Sequence, residues 1–243
     1  MASTNRSTLT VGGVKVEVVR KDIKNLHLGV YPPHGRVRIA VPMHIDDEAA
    51  RLAVVNKLSW LKKQIAAFAR QPRLSNPDAV SGESWYVFGK RYRLLVVTTK
   101  GKPEVRKPTK SRLELHVPSR CKKEIRLTVL DRWYRKQLRE AAEPLLAKWE
   151  SKIGVKAEFW GVKRMKTKWG SCNHETSRVW LNSELAKKPI ECLEYIVVHE
   201  LIHLREPSHD DNFVKLMDKY LPNWQSLRDI LNSTPLAHED WHY

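Results

Sequence analysis

The alternation of apolar and polar residues predicts strands in the first part of the chain and helices in the second. Apolar residues occupy every second position in three stretches of residues 9–42, as in half-buried strands. An acidic cluster that starts at Asp46 opens a predicted helix over about 46–70, which ends before Pro72. A hairpin is predicted about Gly89. Strands first and helices later indicate an α+β fold.

The longest amphipathic pattern runs from about Arg126 to Lys152, with Pro144 inside it. Because proline removes a helical hydrogen bond, we expect a kink or two abutting helices at that point. Two strands and then three helices follow in the prediction, over 162–169, 178–181, 190–205, 209–220 and 223–232. We therefore divide the chain into a β-rich N-terminal region with one helix, residues 1–124, and a helix-rich region, residues 125–243.

Composition indicates a water-soluble protein rather than a membrane protein. Of the 243 residues, 42% are hydrophobic and 29% are charged, and no apolar run is long enough to span a bilayer. The chain starts without the apolar segment of a signal peptide. Its three cysteines form no C-x-x-C pair, which argues against a cysteine zinc ribbon and against a disulfide framework. We expect a cytoplasmic location and no membrane partner.

The net charge of +17 is unevenly distributed. Residues 190–243 hold four basic and ten acidic side chains, a net charge of −6. Residues 1–189 hold the other 40 basic and 17 acidic side chains, a net charge of +23. The basic part is suited to an anionic partner such as nucleic acid, a nucleotide or an acidic protein. A solvated basic surface without a specific partner is the alternative.

The segment His199-Glu200-Leu201-Ile202-His203 is the most informative motif. On a helix, positions four apart lie within about 40° of one another, so both imidazoles project from one face and can bind a single Zn²⁺. Glu200 follows the first of these ligands and is placed to act on a water molecule bound to the metal. The alternative is a cluster of polar side chains that hydrogen-bond to one another.

His209 is the candidate for a third metal ligand. It lies six residues beyond His203 and would be on another face if the helix continued. Pro207 disfavours that continuation, and Ser208 has the character of a helix N-cap, so we expect His209 in the first turn of a new helix after a sharp bend. An exposed histidine at a helix start is the alternative. Three acidic residues are reserve ligands, or could accept hydrogen bonds from the metal-binding histidines: Glu206, Asp210 and Asp211.

Several motifs together resemble the YgjP-like metallopeptidase family. These are Trp169-Gly170-Ser171-Cys172, Leu181-Asn182, the H-E-x-x-H segment, and Ser208-His209 with Phe213. Similar motifs in the N-terminal part, such as Arg36 to Pro42 and Gly89 to Tyr92, extend the resemblance over nearly the whole chain. It implies a zinc-dependent hydrolase with a zincin-like core, related to the SprT-like proteases. It also implies that His199, His203 and His209 bind the metal and that Glu200 is the catalytic carboxylate. It implies no substrate.

A strand beside the active-site helix could hold an extended peptide through backbone hydrogen bonds. Residues 162–169 are the predicted strand, with Trp169 and Gly170 at its end, and Gly170 would allow close approach of a backbone. Arg164 belongs to a positive strand face that would favour acidic peptide or phosphate. Alternatively, Trp169 and Trp180 are core aromatics and Gly170 only turns the chain.

We therefore predict a zinc-dependent metallohydrolase, and specifically a peptidase acting on proteins or peptides. Zinc would activate a water molecule, and Glu200 would take its proton as general base. Two alternatives stay open. One is a metal-dependent phosphohydrolase acting on nucleotides, and the other is a DNA-associated protease or nucleic-acid-binding module that uses the basic residues 1–189.

Overall fold

The computed structural model describes residues 5–31, 35–70, 77–165 and 168–233, which form a mixed α/β structure of two compact units. The division between the units falls after residue 75. The predicted boundary at residue 124 lies inside the second unit. The reason is that the strands of residues 84–117 share one hydrophobic core with the helices that follow them.

The first unit contains a four-stranded sheet. Its strands are β1 (Asn5–Val11), β2 (Val14–Lys21), β3 (His27–Tyr31) and β4 (Arg36–Pro42), in the order β1-β2-β4-β3. β2 and β4 are parallel, whereas the other neighbouring strands are antiparallel. The strands predicted within residues 9–42 are confirmed, because their alternate apolar residues, such as Val16 and Ile39, form the core of this unit.

The predicted helix of residues 46–70 is divided into α1 (Asp47–Asn56) and α2 (Leu58–Arg70). The carboxylate of Asp46 caps α1 by accepting a hydrogen bond from the backbone N–H of Ala49 at 2.8 Å. α1 ends at Lys57, whose N–H bonds to a carbonyl three residues earlier instead of four. The acid-rich helix start is therefore confirmed, and the break at Lys57 is an addition to the prediction.

The second unit begins with another four-stranded sheet of the same topology. Its strands are β5 (Ser84–Val87), β6 (Lys90–Thr98), β7 (Glu104–Arg106) and β8 (Arg112–Val117), in the order β5-β6-β8-β7. β6 and β8 are parallel, and the outer pairs are antiparallel. The predicted hairpin about Gly89 is confirmed, and Gly89 adopts the left-handed conformation with a φ of 77°.

A long helix, α3 (Lys123–Ile153), packs on this sheet. It continues through Pro144 as one helix, so the alternative of two abutting helices is wrong. Leu130 and Leu138 lie on its buried face. The hydroxyl of Tyr134 donates a hydrogen bond to the carbonyl of Tyr86 in β5 at 2.7 Å. Packing along most of its length thus outweighs the one hydrogen bond that proline removes.

A three-stranded sheet follows, with β9 (Phe159–Lys163), β10 (Gly170–Asn173) and β11 (Arg178–Asn182) in the order β10-β11-β9. β11 is antiparallel to β10 and parallel to β9. The predicted strand over 162–169 is wrong in its bounds, because β9 ends at Lys163 and the next strand starts at Gly170. Residues 166–167 of this range lie outside the described residues. β10 forms the edge of this sheet.

Three helices complete the second unit, α4 (Ile190–Ile202), α5 (Asp211–Tyr220) and α6 (Trp224–Ser233), and they confirm the three that were predicted. α4 lies at the centre, in contact with α3, α5, α6 and the strands β10 and β11. None of the helices that the structure describes has the length and apolar character needed to cross a membrane.

Candidate metal centre

Helix α4 carries the first two predicted ligands into the core of the second unit. Pro189 occupies the position just before the helix, where the fixed φ of proline is suited to a helix start. Apolar side chains such as Val197 and Leu201 are fully buried and fix the orientation of the helix. His199 and Glu200 belong to its last turn, and His203 is the residue that ends it. The spacing of four therefore places both imidazoles on one face.

The chain leaves the helix in a turn that starts at His203. The guanidinium of Arg205 donates a hydrogen bond to the carbonyl of Ile153, which ties this turn to the end of α3. The carboxylate of Asp210 then caps α5, accepting from the N–H groups of Asn212 and Phe213 at 3.0 and 3.1 Å. The predicted cap at Ser208 is wrong, because the carboxylate two residues later takes that role. His209 consequently lies in the loop before α5 instead of in its first turn.

The bend brings three ring nitrogens together. The Nε2 atom of His203 is 3.2 Å from that of His199 and 3.0 Å from that of His209, and the third side of the triangle is 3.1 Å. Four-coordinate zinc with Zn–N bonds of about 2.0–2.1 Å needs ligand nitrogens about 3.3 Å apart. The three histidines therefore fit a tetrahedral metal ion. Among the described residues, they form the one cluster of three or more potential ligands within 4.8 Å.

A hydrogen bond of Nδ1 determines the tautomer of His203. Nδ1 of His203 lies 3.0 Å from the backbone carbonyl oxygen of Glu206, and only an N–H can donate to that oxygen. Nε2 is therefore left with its lone pair directed at the other two imidazoles. Such a hydrogen bond is what orients metal-binding histidines in proteins. Glu206, a reserve ligand in the sequence prediction, thus contributes its backbone.

Burial favours the neutral form of His199 and His203. The pKa of His199 is lowered to about 3, first by burial and then by the nearby rings of His203 and His209. Burial also lowers the pKa of His203, against the opposing effect of the Glu206 carbonyl. A metal ligand must be deprotonated, so the electrostatics favour the form that binds a cation.

Phe213 completes the packing of the cluster. Its ring centroid lies 4.9 Å from that of His199 and 4.7 Å from those of His203 and His209. Sequence reasoning included Phe213 only in the family resemblance and gave it no function. The available signal is its spacing of four from His209, which would suggest contact only if both residues were in one helix.

Glu200 lies beside the histidines in the wall of a cleft. It is only 5% exposed, and burial raises the pKa of its carboxyl to about 8, against the opposing effect of Lys168. Gly170 of β10 faces it so closely that a β-carbon at position 170 would lie 2.4 Å from Oε1.

Cys172 of β10 also lines the cleft. Burial, with a smaller effect of Glu200, raises the pKa of its thiol to about 11, so Cys172 is protonated at neutral pH.

The cleft has a volume of about 460 Å³, and the three histidines and Glu200 line it. Trp169 and Gly170 line it, as do Lys168 and Arg228. Arg164 is not among its lining residues, because its guanidinium lies 3.6 Å from the carboxylate of Glu184. The structure therefore brings two of the three predicted substrate contacts to the cleft.

The two tryptophans of the sequence prediction differ in position. Trp169 packs partly against the core and also lines the cleft. Trp180 lies outside the core, with its ring centroid 5.2 Å from that of Phe159 and the ammonium of Lys163 at 4.3 Å. The core interpretation therefore applies in part to Trp169 and is wrong for Trp180.

Asn182 is a further residue whose role the sequence did not indicate. Its side-chain amide donates hydrogen bonds to the carbonyls of Met165 and Lys168 at 2.8 and 2.7 Å. Its side-chain oxygen accepts from the N–H groups of Met165 and Glu184. Asn182 thereby fixes both described ends of the segment that leads into β10. A buried asparagine directly after a strand is the signal that could have indicated this role.

Comparison with known sequence families also indicates a metallopeptidase. The sequence family described as YgjP-like, metallopeptidase domain, matches residues 24–234 of the chain. Among solved structures, the metallopeptidase zymogen of Pyrococcus abyssi abylysin is similar, with a TM-score of 0.35 and 18% identity, over 39% of this chain and 98% of that one. No curated protein sequence matches the chain.

Proposed function

We propose that this chain, which belongs to the YgjP-like metallopeptidase family, is a zinc peptidase in which His199, His203 and His209 hold the metal and Glu200 is the general base. The observation that carries the proposal is the convergence of three Nε2 atoms at 3.0–3.2 Å, with Glu200 in the adjoining wall of the same cleft. The proposed core is zincin-like, because the two histidines and the glutamate come from one helix and the third histidine follows a turn.

Three neutral imidazoles are a ligand set that catalytic zinc uses while it keeps a fourth position open. Zinc bound there would supply Lewis-acid chemistry, polarising a carbonyl and lowering the pKa of a water molecule. Nδ1–H of His203 would keep its hydrogen bond to the carbonyl of Glu206 and so preserve the orientation of the ring. Phe213 would exclude water from the apolar side of the three rings.

Glu200 would move the proton during hydrolysis. Its carboxylate takes a proton from the attacking water and delivers it to the nitrogen of the leaving amine. A general base must be ionised, and positive charge beside a carboxyl lowers its pKa. Burial has the opposite effect, as the raised pKa of Glu200 indicates. Because burial raises the pKa of the Glu200 carboxyl and positive charge lowers it, the same group can accept and then release a proton near neutral pH.

Strand β10 is the proposed binding edge for an extended peptide. Among the described residues it pairs only with β11, and its residues Gly170 to Cys172 line the cleft. A peptide strand could therefore add to its other edge through backbone hydrogen bonds. β10 replaces residues 162–169 in this role. Lys168 and Arg228 line the cleft as well, so we propose a preference for peptides with acidic side chains.

The test is the Glu200→Gln variant with its metal content measured. We expect the variant to keep one zinc per chain and to lose peptidase activity by about 100-fold or more, since the amide cannot act as a base. Glu191 is exposed on the same helix, so E191Q is the matched control and keeps full activity. Turnover by zinc-loaded E200Q at the wild-type rate would refute the mechanism. Parallel assays on casein and on nucleoside triphosphates decide between peptidase and phosphohydrolase.

A further inference from the structure

Gly170 and Glu200 face each other with no space between them. A β-carbon at position 170 would lie 2.4 Å from Oε1, 2.6 Å from Cγ and 2.7 Å from Cδ of Glu200. Real β-carbons essentially never make contacts below 3.0 Å. Glutamate at position 200, in the conformation observed, therefore requires glycine at position 170.

The requirement for glycine concerns space and not backbone conformation. The glycines with positive φ in the described chain are Gly12, Gly13, Gly35, Gly82, Gly89 and Gly154, and Gly170 is not one of them. Gly170 is a regular strand residue paired with Leu181 of β11. Alanine is compatible with that backbone, so the contact with Glu200 is the obstacle to a side chain.

The packing around both backbones opposes a shift that would relieve such a contact. On one side, Leu181, the partner of Gly170, is fully buried in the core, which holds β10 in register. On the other side, Val197 and Leu201 of α4 are also fully buried. A closely packed interior resists displacement of whole elements. The side chain of Glu200 is therefore the part that would have to change its position.

We propose that Gly170 is a positioning residue of the active site: its bare backbone forms the surface against which the Glu200 carboxylate is held beside the three histidines. This inference rests on the proposed function, because it gives Gly170 a catalytic effect only if Glu200 is the general base. It replaces the sequence prediction that Gly170 allows a substrate backbone to approach closely. Here it is the side chain of Glu200 that approaches.

Gly161 provides a matched control in the same sheet. A β-carbon at position 161 would lie 2.7 Å from a ring carbon of Trp180, and Gly161 also has no positive φ. The steric demand is thus comparable, whereas Trp180 does not line the cleft. G161A therefore reports the general effect of adding a methyl group to this sheet.

The first experiment compares metal content and kinetics of G170A and G161A in the full-length, zinc-loaded protein. We expect G170A to keep one zinc per chain and an unchanged KM, while kcat falls about 100-fold, as for loss of a positioned base. G161A should keep kcat within about threefold. A rise in KM with unchanged kcat would instead assign Gly170 to substrate binding and overturn the proposal, as would wild-type kinetics.

The second experiment measures thermal stability in two backgrounds and is independent of activity. E200A removes the three atoms that a β-carbon at 170 would meet. We expect G170A to lower the melting temperature of the wild type by several degrees and that of E200A by about one degree or less. Should G170A alone fail to fold, G170A/E200A should fold. An equal loss in both backgrounds would overturn the proposal, whereas retained turnover in E200Q would overturn only the proposed function.

Discussion

At the residue scale, Phe213 is the aromatic residue that packs against all three histidine rings. It contacts all three, with centroids 4.7–4.9 Å apart. Replacing its ring with a methyl group would leave the imidazoles without packing on that side, so each could rotate away from the metal. We expect F213A to bind zinc about tenfold more weakly, as measured by competition with a chelator of known affinity.

Val214 offers the matched control for this prediction. It is the next residue of α5 and is 37% exposed, so V214A changes the same helix without touching the cluster. We expect V214A to retain the zinc affinity of the wild type. Equal affinities of F213A and the wild type would mean that the turn after His203 holds the rings without help from Phe213.

The histidines of the proposed metal centre could be identified from local sequence, but the residues that pack around them could not. The helical period relates His199 to His203, and the proline at 207 allows the bend that His209 needs. The contact between Gly170 and Glu200 joins positions thirty residues apart, on a strand and a helix. No periodic pattern encodes such a contact, because it depends on how β10 packs against α4.

At the scale of elements, Asn182 connects both described ends of the segment before β10. Its side chain is 3% exposed and bonds to the backbone of Met165, Lys168 and Glu184. N182A would leave these backbone groups without their partner in a buried setting. We expect a loss of about 2–3 kcal/mol in the free energy of unfolding, measured by chemical denaturation. Peptidase activity should fall as well, since the segment leads to Trp169 and Gly170.

Asn173 allows the effect of the lost amide to be separated from a general effect on the hairpin. It is exposed, and its side chain accepts a hydrogen bond from the N–H of Thr176 in the turn between β10 and β11. N173A should therefore cost no more than about 1 kcal/mol. A loss in N182A as small as this would contradict the role given to Asn182.

The two four-stranded sheets show where element-level prediction stops. Alternating apolar residues predicted strands within 9–42 and a hairpin about Gly89, and both are confirmed. The shared order, with a parallel pair at the centre of each sheet, was not predicted. Alternation indicates which residues face a core, whereas strand order depends on the crossover connections. Alternation also explains the error in residues 162–169. Basic residues there alternate with other residue types, a pattern that is typical of a strand.

At the scale of the whole molecule, the charge asymmetry does not coincide with the two structural units. The acidic segment 190–243 lies largely in the second unit, together with part of the basic residues 1–189. The sign of the charge changes along the chain near residue 190, whereas the units divide after residue 75. Helix α4 begins where the sign changes. The acidic segment therefore contains the three histidines of the proposed metal centre, while basic residues such as Lys168 line the cleft beside them.

The stability of the whole molecule should depend on pH through Lys188. Its side chain is buried beneath Trp169, and burial is the main reason that its pKa is lowered from 10.5 to about 8. Between these values the unfolded chain binds a proton that the folded chain does not, so the free energy of unfolding rises with pH. From pH 7 to pH 9, this contribution amounts to about 1 kcal/mol.

Chemical denaturation of the wild type and K188M at several pH values tests this expectation. Methionine carries no proton, so the stability of K188M relative to the wild type should decrease by about 1 kcal/mol between pH 7 and pH 9. The stability of K188M has to be compared with that of the wild type at each pH, because burial raises the pKa of Cys172 and Cys192 from 9.0 to about 11. Both thiols lower the stability above pH 9, in either protein. K188R, which stays charged throughout, should lack the rise as well. A difference that does not vary with pH would show that Lys188 reaches solvent and keeps its proton in the folded protein.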